Sequence, residues 1–156
     1  MPTFKPAYLI HGDDHGRIAE RRATLRGLAE SISGAEGVEL LEGENATPDR
    51  TAATLSAMTL AVTRRFIVVD GVERWKDSEM DALEAALGAI APETTIAFFA
   101  REESRAAAPD RLHRAVKAAD GDISAEATVK PWELPRWATA QAAALGVELT
   151  SDGARA

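Results

Sequence analysis

The sequence predicts an α/β domain on a mostly parallel five-stranded sheet, and three observations carry that prediction. Short apolar runs alternate with amphipathic stretches five times along the first 128 residues, the pattern of strands joined by crossover helices. Phe66 to Val69 sets four bulky residues in a row without a polar break, so both faces of that strand should be covered by helices. Helix caps and chain breakers stand between the runs, at Thr47-Pro48-Asp49, Asp70-Gly71 and Gly121, where such a fold needs its turns.

Taken in order, Ala7 to His11 reads as a first buried strand ended by Gly12. A helix then runs from near Gly16 to Gly34, with Ile18, Leu25, Leu28 and Ile32 on its inner face and Arg17, Glu20, Arg21, Arg22 and Arg26 on its other sides. Val38 to Leu41 is a second strand. Thr47 caps a helix with Pro48 and Asp49 in its first turn, and Ala52, Leu55 and Met58 point inward. After the Phe66 to Val69 strand, Ser78 and Asp81 read as a capping box before Met80, Leu83, Leu87 and Ile90, a helix closed by Pro92. Thr94 to Phe99 is the fourth strand, and Arg101 to Pro109 a loop. Leu112, Ala115, Val116 and Ala119 make a short helix, and Asp122 to Thr128 is a fifth strand at the edge of the sheet.

The pattern changes at Lys130-Pro131-Trp132. A further helix is expected from Trp137 to Gly146, with Thr150 or Ser151 capping another. Residues 1–128 are therefore expected to be one domain and residues 129–156 the truncated beginning of a second, helical one. The chain is expected to be the front part of a longer protein.

Composition narrows the function. The net charge of −7 opposes an unaided grip on nucleic acid, which requires Lys and Arg to displace phosphate counterions. Without cysteine there is neither a disulfide framework nor a thiolate metal site. No apolar run is long enough to span a bilayer, and residues 1–30 carry charges where a signal peptide needs its apolar segment. A cytoplasmic protein is expected.

The loop after the first strand, Gly12-Asp13-Asp14-His15-Gly16-Arg17, stands where open α/β sheets bind ligands. A phosphate-cradling loop needs a lysine and a hydroxyl after its second glycine. Both are missing, and the lysines are Lys5, Lys76, Lys117 and Lys130 only. Asp13, Asp14 and Asp70 allow another reading, a receiver-like site in which the acids hold magnesium, Asp70 accepts a phosphoryl group and Lys130 follows the last strand. Phe99-Ala100-Arg101 lacks the hydroxyl such a site uses. The plainer reading is that Asp13 and Asp14 cap the first helix and Asp70 starts a turn. His11, His15 and His113 show no metal-ligand spacing and are expected to be structural or solvated. No Ser sits in a G-x-S-x-G turn, and Trp132 and Trp137 read as packing anchors. No catalytic, cofactor or metal site is expected.

One apolar stretch lies outside the regular elements. Met58, Thr59, Leu60, Ala61 and Val62 form a helix-to-strand connection, and connections run over the surface. Apolar residues there either fold back to close the core or are offered to a partner. Spacing alone leaves both open.

Four segments in this order resemble the delta subunit of the bacterial DNA polymerase III clamp loader: AYLIHGDD, AMTLAVTRRFIVVDGVE, TTIAFFA with the charged segment reaching Arg111-Leu112, and PWELPRWATAQAAALGVEL. The resemblance covers nearly the whole chain. It implies a three-layer AAA+-like (P-loop NTPase-type) domain without a working ATP site, followed by the start of a small helical lid. It also implies a non-catalytic subunit of the DNA polymerase III holoenzyme, in the replisome at the nucleoid. Such a subunit binds and opens the sliding clamp, while ATPase subunits and delta prime are its other partners and DNA is met only indirectly. The family's clamp contact is an apolar pair, typically Leu-Phe, before the central strand. Leu60 keeps that pattern and Ala61 departs from it. Loss of a Phe from an interface centre costs on the order of 2 kcal/mol or more unless Met58 or Val62 fills the space. Two alternatives stand beside this reading: the receiver-like phosphoacceptor, and a scaffold that binds only sister clamp-loader subunits.

Overall fold

Five strands and four α-helices alternate through a computed structural model that describes residues 3–57 and 64–128. The strands are β1 (Ala7–Gly12), β2 (Val38–Leu41), β3 (Arg65–Asp70), β4 (Thr94–Arg101) and β5 (Asp122–Ala125). The helices are α1 (His15–Ser33), α2 (Pro48–Ser56), α3 (Asp81–Gly88) and α4 (Asp110–Ala118). The chain divides into two compact units, residues 1–126 and 127–156, and all these elements belong to the first. Among the described residues no helix is long and apolar enough to cross a membrane.

The sheet has the order β2-β3-β4-β1-β5, and every neighbouring pair is parallel. The β1-to-β2 connection steps to the far edge, whereas the later ones step back across the sheet. Right-handed crossovers then require α1 on one face and α2, α3 and α4 on the other. Two separate cores bear this out. Ile10, Val68, Ala97 and Phe99 pack on Ile18, with Leu25 beside them. On the opposite face Leu9, Ile67, Val69, Ile96 and Phe98 meet Leu55, Leu83, Leu87, Leu112 and Val116. Successive residues of β3 and β4 thus enter different cores, which is why their sequence shows no polar alternation.

Most expected elements appear within a residue or two of their expected bounds. At α2 the Thr47 side chain accepts the Arg50 N–H, with Pro48 in the first turn. At the end of β3, Gly71 adopts φ 82°, a left-handed turn conformation.

Three expectations need correction, the first being β5, which was expected to reach Thr128 and ends at Ala125. Leu28 is exposed, and the buried side of α1 carries Ile18 and Ala29, with Leu25 and Ile32 partly covered. Positions 18, 25, 29 and 32 lie on one helical stripe, and 28 falls beside it. The Ser78–Asp81 capping box does not form either. A 3-10 turn over Asp77–Glu79 precedes α3, and within it the Lys76 N–H donates to Glu79 Oε1 at 3.0 Å. Asp81 is instead the first residue of α3 and accepts from Arg111 Nη2 at 2.7 Å.

Candidate functional site

The order of strands places a topological switch point at the carboxyl ends of β1 and β4, because their onward connections leave in opposite directions along the sheet. The loop after β1 is occupied by the chain's own groups. Gly12 has φ 142°, and a Cβ there would lie 2.0 Å from the Glu126 carbonyl oxygen. That oxygen accepts the Asp14 N–H at 3.0 Å, and the Glu126 N–H donates to His11 O at 2.7 Å. Asp14 caps α1 as expected, its Oδ1 accepting the Arg17 N–H at 3.2 Å. A carboxylate therefore sits at the helix terminus where a phosphate-binding loop would present N–H groups to its ligand.

Glu126 also reaches α1 through its side chain. Arg21 Nη1 lies 2.9 Å from Oε1 and Arg17 Nε 3.6 Å from Oε2. The Arg21 hydrogen bond holds the Glu126 carboxyl below its usual range. A group depressed on folding adds stability above its unfolded value, here 4.5, and loses it as the pH falls through the folded value. Glu126→Gln should therefore remove part of the acid loss of stability, read as urea midpoints at neutral pH and below about pH 4. Equal acid sensitivity in variant and parent would contradict this.

Asp70 ends β3 with its side chain largely buried. Arg22 Nη1 donates to its Oδ2 at 2.6 Å, and Arg101 Nη2 approaches the same oxygen at 3.4 Å. Two guanidiniums thus occupy the carboxylate that a receiver-like site would give to magnesium or a phosphoryl group.

Long-range folding also joins residues that sequence spacing left separate. His11 at the end of β1 places Nδ1 2.8 Å from Glu102 Oε1, just past β4. The other oxygen, Oε2, accepts the Ala108 N–H at 2.8 Å. His113 of α4 meets the His11 ring edge to face, with centroids 4.8 Å apart. Burial lowers the His113 pKa, with the nearby His11 adding to it. His15 Nε2 lies 2.9 Å from Glu102 O. No spacing rule would have found this grouping, because its members come from β1, α1, the segment after β4 and α4.

The apolar residues Met58, Thr59, Leu60, Ala61 and Val62 lie outside the described residues, as does everything expected beyond Thr128. Arg65, with its side chain 9% exposed, forms a bidentate pair with Glu39 of β2 at 2.7 and 3.0 Å. The same guanidinium donates to Thr54 O at 2.6 Å and Ala57 O at 2.9 Å. One buried cation therefore satisfies carbonyls at the end of α2 and ties the departure of the apolar connection to its return in β3.

The parallel five-stranded sheet between helical layers is a fold shared with two solved structures. The similarity to the DNA clamp loader delta protein of Bacillus subtilis covers 97% of this chain and 47% of that one, with TM-score 0.65 and 16% identity. A DNA polymerase III gamma subunit-related protein of Thermotoga maritima matches 85% of this chain and 44% of its own, with TM-score 0.51 and 19% identity. This chain thus spans less than half the length of either. No family model and no curated protein matches it.

Proposed function

We propose that the chain is the clamp-engaging part of a delta-type clamp-loader subunit, a member of the DNA polymerase III complex that binds the sliding clamp and opens it. The observation that carries this reading is the fold likeness to a clamp-loader delta protein along 97% of the chain. The loop after β1 supports it, because Asp14 and Glu126 use the positions that a nucleotide's phosphates would need. The subunit would then hydrolyse no ATP itself and would rely on ATPase partners and delta prime. Residues 129–156 would begin the helical lid, and the protein would work in the cytoplasmic replisome.

In this reading Met58, Thr59, Leu60, Ala61 and Val62 form the clamp contact, with Leu60 at its centre. The anchored Arg65 favours it, since a contact that strains another protein must push against a rigid base. No bond is made or broken. An apolar plug that fits the opened clamp interface better than the closed one shifts the ring toward opening. A preference of about 3 kcal/mol changes the open fraction roughly 150-fold.

Calorimetric titration of the chain against the sliding clamp of its own organism tests the proposal. Leu60→Asp should keep the parent circular dichroism spectrum and weaken clamp binding by more than about 2 kcal/mol, the scale of a central interface residue. A folded variant that binds as well as the parent removes the plug. A stable complex with an ATPase subunit but none with the clamp would favour the scaffold. A phosphoryl adduct on Asp70 after acetyl phosphate and magnesium would favour the receiver-like reading, against the Arg22 pairing.

A further inference from the structure

We propose that His11, Glu102 and His113 form a binding site for a divalent transition-metal ion of the zinc class. One ligand atom from each of the three lies within 4.8 Å of the others. Ligands about 2.0–2.1 Å from a tetrahedral zinc are about 3.4 Å apart, so small side-chain rotations bring the three into range. Each is carried by a defined part of the fold: His11 by β1, His113 by α4, and Glu102 by the residue after β4.

The surroundings favour a site over a chance grouping. Glu102 is oriented from two sides, through Oε2 by the Ala108 N–H and through its backbone carbonyl by His15. Its Oε1 already faces His11 Nδ1 at 2.8 Å, so an ion would take the place of the proton shared there, and that proton would pass to solvent. Ligands oriented by hydrogen bonds to a second set of groups are typical of metal centres. All three are partly exposed, which leaves an entry path.

The donor set selects the ion. Two imidazoles and one carboxylate suit zinc and its neighbours, whereas magnesium and calcium prefer oxygen alone. Three protein ligands leave a fourth position for water or for a donor from a partner. The ion would clip β1, the segment after β4 and α4 together at one end of the sheet. This proposal is independent of clamp binding.

Chelator-treated chain is titrated with zinc by calorimetry and with cobalt(II) by visible absorption, with magnesium as control. One equivalent of zinc should bind and raise the melting temperature, cobalt should show the bands of a four- or five-coordinate ion, and magnesium should do neither. Loss of a supporting hydrogen-bond partner alone costs a metal site about 10–100-fold. His113→Ala, a loss of a ligand, should therefore weaken zinc binding at least about 100-fold. His15→Ala, which removes a supporting hydrogen bond but no ligand, should weaken zinc binding by no more than about 10–100-fold and leave the form of the cobalt bands at saturation unchanged. If His113→Ala fails to fold by circular dichroism, Glu102→Gln decides, since it removes the carboxylate and leaves an acceptor for Ala108. The absence of 1:1 zinc binding overturns the proposal, as does a folded ligand variant that binds zinc like the parent.

Discussion

Arg65→Ala is expected to destabilise the domain by about 3 kcal/mol, the low end of what breaking a buried ion pair costs. The low end applies because Glu39 keeps its side chain 35% exposed and can recover part of its hydration. The loss has several physical parts. Glu39 is left with an unpaired charge, and the carbonyls of Thr54 and Ala57 lose their donor near the end of α2. Lysine should restore little, because one ammonium cannot make the bidentate pair and reach both carbonyls. Urea unfolding measures the change, and Glu39→Gln in the Arg65→Ala background should recover part of it. A loss under about 1 kcal/mol would show the cluster to be no more than a surface pair. The same variant bears on function. If the apolar connection needs an anchored base, clamp binding should weaken in Arg65→Ala even where the protein is folded.

Gly12→Ala should cost at least as much, for a different reason. At φ 142° an L side chain is strained, and the added Cβ would meet the Glu126 main chain at 2.0 Å. A flexible side chain could give way to it. The Glu126 backbone cannot, because its N–H and C=O are bonded to His11 and Asp14. We expect a loss of about 3 kcal/mol or more, from strain of about 1–3 kcal/mol and displacement of the end of β5. Gly34→Ala supplies the control. Gly34 has φ 72° with open space around its Cβ position, so it should lose only about 1 kcal/mol. Hydrogen exchange at Asp14 and Glu126 should quicken in the Gly12 variant alone. Equal losses in the two variants would mean that the contact with Glu126 contributes nothing.

Both predictions concern groups far apart in the chain, and there sequence reading and structure part company. The strands were legible because an apolar run reports local burial whatever lies on the other side. Phe66 to Val69 could be read as covered on both faces without knowing that α1 covers one and α2 and α3 the other. Thr47 and Asp14 were legible as caps because a cap acts on an N–H only three residues ahead. Leu28 was misread because one helical turn offers two adjacent leucine-type stripes, and only packing chooses between them. Ser78 was misread because a 3-10 turn displaced the start of α3, a choice coupled to Arg111 on α4.

The sequence by itself determined the class of fold, the order of its elements and the absence of a phosphate-binding lysine, since each is written in composition or in spacing of a few residues. Tertiary structure alone decided that Arg65 would span Glu39 and the end of α2, that Asp70 would face Arg22, and that His11 would meet Glu102 from 91 positions away. The physical reason is that backbone preferences and hydrophobic period act over one or two turns of chain. A charged pair or a ligand set is formed by whichever strands the sheet makes neighbours, and that order, β2-β3-β4-β1-β5, exists only once the chain has folded.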